Sequence, residues 1–239
     1  MRRLSSRRAA RVEDNAFIIE GATLIAEAIA AGWRIESQFL APGGARVFGT
    51  ESDIYQLADG VMERAATTAT PQPVIAIAER RVSTLSELPE LGWIIVADRV
   101  SDPGNMGTIL RSAEAAGACA VVLTNETVEA FNPKVVRSSA GALFHVPVVE
   151  GVELADVASA GFRLIGTSSH HQPGVVEYTK ADLGGRVAVV VGNEAHGMSS
   201  DIAVDQWVNI PHFGRGESLN VAMAATLICF EVAAQQAAK

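Results

Sequence analysis

Short, largely apolar runs recur along the chain at residues 17–20, 35–40, 74–78, 93–97, 120–123, 163–166 and 187–191. Their shortness and apolar composition predict strands rather than helices. Between them lie stretches with helical spacing, at 22–31, 106–116, 154–160 and 219–236. Residues 53–57 and 60–66 also read as short helices. Strands alternating with helices predict an α/β fold. From Trp93 onward the runs are apolar on both faces, as in a parallel sheet covered on both sides. Such sheets bind ligands at the carboxyl ends of their strands. The loops to inspect therefore follow Ala97, Leu123, Gly166, Val191 and Ile210. Residues 79–92 are polar and lack a clean period. They divide the chain into a first domain at 1–80, a linker at 81–92 and a second domain at 93–239.

Composition narrows this picture. The chain has 239 residues, of which 49% are hydrophobic and 19% charged, the balance of a folded, core-rich protein. The formal net charge of −8 argues against a general nucleic-acid binder. That charge is unevenly placed. Residues 1–11 hold five arginines and no acid, leaving 14 basic and 27 acidic side chains on the rest. This arm is either a solvated, frayed terminus or an arm that contacts phosphates. With Arg80, Arg81, Arg111 and Arg137 it would make a local basic track on an acidic protein. The two cysteines, Cys119 and Cys229, exclude a disulfide framework and fit a reducing compartment. No apolar run approaches the ~18 residues of a membrane span, and no secretory signal is legible. A cytoplasmic location is expected. The five histidines form no metal-ligand spacing, so no metal is expected.

Three loops carry candidate chemistry. The first, after Ala97, contains Asp102-Pro103-Gly104-Asn105-Met106-Gly107 and leads to Arg111. Asn105 is placed to cap the helix that follows. Arg111 stands alone on a small, apolar stretch. It is either functional or a surface arginine paired with Glu114 at i+3. The second loop, Gly192-Asn193-Glu194-Ala195-His196-Gly197, sets an amide and a carboxylate between glycines at the end of a buried strand. It is either a ligand loop or a tight turn with a capping acid. The third, Ile210-Pro211 through Ser218-Leu219-Asn220, collects polar groups at the start of a long apolar helix, where backbone N–H groups point outward. Ser218 is the ordinary capping candidate there. No dinucleotide fingerprint and no phosphate-binding Gly-Lys-Ser/Thr loop is present, so kinase, NTPase and nicotinamide readings lose their main support.

In order and spacing these three regions resemble the signature motifs of the SpoU (TrmH-like) family of RNA 2′-O-ribose methyltransferases. A fourth stretch is also similar, Asn132-Pro133-Lys134 to Arg137-Ser138-Ser139-Ala140-Gly141-Ala142. The resemblance covers roughly residues 93–239. Residues 5–80, above all Phe17-Ile18-Ile19-Glu20-Gly21, look like the substrate-binding domain that many members carry, which resembles RNA-binding ribosomal proteins. The chain departs from the family at His212, where many members have methionine, and in the spacer Gly214-Arg215-Gly216.

The resemblance implies an α/β fold whose C-terminal region threads a trefoil knot, an S-adenosylmethionine cofactor and a homodimer. By motif position, Gly192, Ile210 and Leu219 would contact the cofactor, joined by Thr167. Asn105, Arg111, Glu194, Ser218 and Asn220 would form the catalytic and ribose-side set. The activity implied is methyl transfer to a ribose 2′-hydroxyl of RNA. Ribosomal RNA is favoured because of the accessory first domain, since tRNA-specific relatives usually carry short helical extensions instead. A tRNA methyltransferase is the alternative, and a catalytically silent RNA-binding assembly factor is a third reading. A guanidinium holds its proton in water, so Arg111 suits stabilising a developing alkoxide better than removing a proton. A neighbouring cation driving a proton off it, to leave a base, is the other route.

Overall fold

Among the described residues the strands pair into two sheets, one of four strands and one of seven. The structure, a computed structural model, describes residues 1–65, 70–168, 174–193, 198, 203–215 and 218–238. It divides into two units, Met1–Arg81 with Glu129–His145, and Val82–Val128 with Val146–Lys239.

The first unit runs α1 (Arg2–Ser6), α2 (Arg8–Glu13), β1 (Ala16–Glu20), α3 (Ala22–Ala30), β2 (Ile35–Leu40), β3 (Asp53–Gln56), α4 (Val61–Ala65) and β4 (Val74–Glu79). Its sheet has the order β1-β4-β2-β3, with β4 antiparallel to both neighbours and β3 parallel to β2. Residues 53–57, expected to be helical, instead form β3. All four of its residues are exposed, so no burial alternation marks it in the sequence. Pairing with the otherwise open edge of β2 decides its conformation, and Ile54 and Tyr55 suit a strand.

The arginine arm is folded rather than frayed. Leu4 and Ala10 are buried. Arg11 is only 2% exposed, and its guanidinium donates to the Glu129 carboxylate and to the Leu4 carbonyl. Arg3 pairs with Glu13 at 2.7 Å. Arg80 is buried with its guanidinium over the Phe131 ring, and Arg81 stacks on Trp33. The basic track is therefore corrected. Arg11 and Arg80 are interior residues, whereas Arg2, Arg7 and Arg8 remain on the surface.

The second unit runs β5 (Ile94–Ala97), α5 (Pro103–Ala115) and β6 (Ala120–Thr124). After the excursion that carries α6 (Pro133–Ser138), it continues β7 (Val148–Val152), α7 (Leu154–Ser159), β8 (Arg163–Thr167), β9 (Val175–Glu177), β10 (Val187–Val191), β11 (Gln206–Asn209) and α8 (Val221–Ala237). The sheet order is β7-β6-β5-β10-β8-β11-β9, and every ladder is parallel. All their carboxyl ends thus lie along one edge. β5, β6 and β10 are buried at every position, as their unbroken apolar composition requires. On α5, Met106, Ile109, Leu110 and Ala113 form the buried i, i+3, i+4, i+7 face, while Arg111 and Glu114 are exposed.

The sequence division at 80 and 93 is linear, but the packing is not. Residues 129–145 group with the first unit because Phe131 and Phe144 join Phe17 and Trp33 in one aromatic cluster, with ring centroids 5.0–6.2 Å apart. The fourth motif, from Asn132 to Ala142, therefore belongs to that unit. Asn132 caps α6 by accepting from the Lys134 N–H at 2.9 Å, with Pro133 in the first turn. Among the described residues, no helix is long and apolar enough to cross a membrane.

Candidate active site

The site is built at the carboxyl edge of the seven-stranded sheet. The first loop leaves β5 at Asp98, whose backbone N–H donates to the Val191 carbonyl at 2.8 Å. The buried Asp98 carboxylate accepts from the Thr124 hydroxyl at 2.9 Å and from the Arg99 guanidinium at 3.1 Å. Arg99 takes a left-handed φ of 54°, and its carbonyl accepts from the Asn193 side-chain amide at 2.9 Å. Asp98, Arg99, Thr124 and Asn193 thereby tie together the loops after β5, β6 and β10. Asn193 stood in the second motif without a role, and Asp98 and Arg99 open the loop after Ala97 ahead of the first motif. Their only sequence signal was polar character at the end of a strand apolar on both faces.

The expectation that Asn105 caps α5 is corrected. Asp102 is the N-cap, and its carboxylate accepts from the Asn105 backbone N–H at 2.8 Å. Pro103 fills the first turn, where its missing N–H costs nothing. The helix thus starts three residues earlier than its apolar period suggests, and Asn105 lies inside its first turn with its side-chain amide directed elsewhere.

That amide meets the third motif. Asn220, and not Ser218, caps α8. Its Oδ1 accepts from the Ala222 and Met223 N–H groups at 2.9 and 3.3 Å. Its Nδ2 donates to Asn105 Oδ1 at 2.9 Å. One side chain therefore closes a helix and fixes an amide 115 residues away in sequence. Further along the two helices, the Ser112 and Thr226 hydroxyls share a hydrogen bond at 2.6 Å. This second pin, in the last turn of α5, keeps the two helices side by side beyond their starts.

Gly192 is buried directly after β10, Thr167 ends β8, and Ile210 follows β11. β10, β8 and β11 are neighbours in the sheet, so these three positions sit on adjacent strand ends. The Thr167 hydroxyl donates to the Val190 carbonyl at 2.9 Å, which leaves its lone pairs for a ligand. Ser218 and Leu219 are exposed just before α8. Arg111 is exposed on α5, and among the described residues no ion pair joins it to Glu114. Glu194 lies outside the described residues, as do Ala195, His196 and Gly197. The positions expected at the cofactor, Thr167, Gly192, Ile210 and Leu219, offer backbone amides and carbonyls, one hydroxyl and apolar side chains. That chemistry fits a nucleoside bearing a sulfonium. Among the described residues, no three His, Cys, Asp or Glu side chains gather as a metal site.

The Asn105–Asn220 contact yields a separable prediction. Asn220→Ala removes the α8 cap, which costs about 0.5–2 kcal/mol, and also releases Asn105. Asn220→Asp keeps an acceptor for the helix but loses the donor to Asn105. Thermal unfolding is expected to recover in the Asp variant while methyl transfer does not. Full activity of Asn220→Asp would show that the amide contact is dispensable.

Comparison with known proteins gives the family. Residues 92–230 match the SpoU rRNA Methylase family, and residues 1–76 match the MRM3-like substrate binding domain. The chain is 31% identical to the 23S rRNA (guanosine(2553)-2′-O)-methyltransferase of Bacillus subtilis (strain 168), over 93% of this chain and 90% of that protein. It is 30% identical to the 23S rRNA (uridine(2479)-2′-O)-methyltransferase of Streptomyces viridochromogenes, over 95% and 85% of the two chains. Two crystal structures superpose closely. One is the SpoU methyltransferase AviRb from Streptomyces viridochromogenes in complex with the cofactor AdoMet, with a TM-score of 0.87, 27% identity and coverage of 98% and 95%. The other is an AdoMet-bound rRNA methyltransferase from Sinorhizobium meliloti, with a TM-score of 0.83, 28% identity and coverage of 97% and 91%. The resemblance read from the motifs is thus borne out, together with the α/β fold and its parallel sheet. The chain belongs to the SpoU rRNA methylase family.

Proposed function

We propose that the protein transfers a methyl group from S-adenosylmethionine to a ribose 2′-hydroxyl of ribosomal RNA, in the cytoplasm. The observation that carries this reading is the Asn105–Asn220 hydrogen bond, which joins two family motifs at the carboxyl edge of the sheet. Ribosomal RNA is favoured over tRNA because the relatives with the fullest coverage are named for 23S rRNA and the first unit matches a substrate-binding domain.

When bound, S-adenosylmethionine supplies a methyl group activated by its sulfonium charge. Gly192, Ile210 and Leu219, with Thr167, would hold it through backbone groups and apolar contact. Asn105, Ser218 and Asn220 fix ribose hydroxyls, and Glu194 completes the set by its motif position. Arg111 stabilises the oxygen as it gains negative charge, while the proton leaves to water. Holding the hydroxyl in line with the methyl group can supply about 7–11 kcal/mol of the barrier in favourable cases. The pinned starts of α5 and α8 provide that rigidity.

The active form in this reading is a homodimer. Its support is α8, which apart from Thr226 is apolar on every side up to Glu231. Its Ala222, Ala225, Ile228, Cys229 and Val232 are buried, while Met223, Leu227 and Phe230 face solvent at i, i+4 and i+7 with Leu219 just before them. A helix apolar on every side calls for cover on every side. The trefoil knot is inferred from family membership. A sheet order that sets β10 between β5 and β8 is consistent with it.

Calorimetry with S-adenosylmethionine tests the cofactor directly. Binding at about one site per subunit is expected. A folded protein that binds none would sink the enzyme reading and favour the silent assembly factor.

A further inference from the structure

Phe48, in the connection between β2 and β3, is 71% exposed. A ring left in water forgoes the gain of burial. The ring is held in place rather than loose. Gln38, only 1% exposed on β2, aligns its side-chain amide with Val47. It accepts from the Val47 N–H at 2.8 Å, donates to the Val47 carbonyl at 2.9 Å, and donates to the Ser52 hydroxyl at 3.1 Å. The residue between Arg46 and Phe48 is thereby fixed. Gly49 then turns the chain with a φ of +102°, which a side chain would strain. On this pinned loop the Arg46 guanidinium carbon stands 4.4 Å from the centre of the Phe48 ring.

Gln38, Thr50, Ser52 and Ile54 border the pair in a shallow concavity. This mostly polar surround is too sparse in apolar surface for a protein interface, which gathers contiguous apolar area. Nor is it a phosphate site. Glu51 and Asp53 follow within seven residues of Arg46, and their charges oppose a phosphate chain. An exposed ring with a guanidinium over it suits a flat, uncharged π-surface. Unpaired nucleobases are read in this way, by stacking on aromatic side chains and arginine planes.

We propose that Arg46 and Phe48 form a stacking site for one unpaired base of the RNA substrate. This rests on the proposed function and adds a specific contact within the first unit.

The test measures methyl transfer to 23S rRNA transcribed in vitro by the full chain, with RNA affinity followed separately by fluorescence anisotropy. Phe48→Ala is expected to raise KM for RNA and weaken affinity by about tenfold or more. Its kcat, S-adenosylmethionine affinity and unfolding midpoint should match wild type. Phe48→Trp is expected to restore KM and Phe48→Leu is not, which separates stacking from simple apolar contact. The ratios of Phe48→Ala and of Arg46→Ala to wild type should both hold as salt is raised, because the ring and the guanidinium meet an uncharged base and neutralise no phosphate. An unchanged KM and affinity for Phe48→Ala, full rescue by Phe48→Leu, or an altered sedimentation mass would overturn the site. If wild type transfers no methyl group to any RNA, the proposed function falls, and the anisotropy arm alone decides whether bases stack here.

Discussion

Arg111→Ala is expected to reduce kcat for methyl transfer by roughly 10²–10³-fold, the scale on which removing one preorganised stabiliser of a developing oxyanion acts. S-adenosylmethionine affinity and the unfolding midpoint are expected to stay at wild-type values, because Arg111 is exposed and among the described residues has no ion-pair partner whose loss would destabilise the fold. Arg111→Lys keeps the positive charge but loses the planar fork. Intermediate activity is therefore expected, which identifies charge as one part of the role and bidentate geometry as the other. Near-normal turnover in the Lys variant would show that the fork is not needed. Near-normal turnover in the Ala variant would remove Arg111 from the chemistry altogether. Single-turnover methylation with saturating RNA reads these outcomes without interference from binding.

The second large effect is on stability. Arg11 and Glu129 are both almost wholly buried, 118 residues apart in sequence, and they close on each other inside the first unit. Removing one partner of a buried pair strands the other charge, a loss of about 3–5 kcal/mol. In a chain of this size that lowers the unfolding midpoint by roughly 6–20 °C at ~2–4 °C per kcal/mol. Glu129→Ala is expected to fall in that range. Replacing both residues by apolar side chains, Arg11→Met with Glu129→Leu, is expected to regain most of the loss, because neither charge then needs a partner. Differential scanning calorimetry of the two variants checks this. A shift of less than about 2 °C for Glu129→Ala would mean that water reaches the pair and that the arm is more weakly anchored than its burial indicates.

The same pair shows where the sequence stops being informative. Five arginines in eleven residues read either as a frayed terminus or as a phosphate-contacting arm, because their partners are remote. Nothing local to Arg11 announces Glu129, and nothing local to Arg80 announces the Phe131 ring. The strands β5, β6 and β10 were legible because a strand buried on both faces must be apolar throughout. β3 was not, because its order comes from pairing with β2 while all its side chains stay exposed. β7 carries Glu150 and Gly151, and β9 has only three half-buried residues, so neither shows a period to read.

The site was legible at the level of motif and illegible at the level of contact. Asp102-Pro103 carried the true start of α5 in plain view, since proline belongs in the first turn of a helix. The apolar period drew attention instead to Met106. The Asn105–Asn220 bond could not be read locally, because only the sheet order and the packing of α5 on α8 bring those motifs together. The polar network around Asp98 escaped for the same reason. It links three strand ends that are adjacent in space and distant in sequence.

The most direct test of the account is a map of 2′-O-methylated riboses in total RNA from cells with the gene and cells without it. The account predicts that one ribose methyl disappears from ribosomal RNA on deletion, returns with the wild-type gene, and fails to return with Arg111→Ala. A loss confined to tRNA, or a map unchanged by deletion, would contradict it.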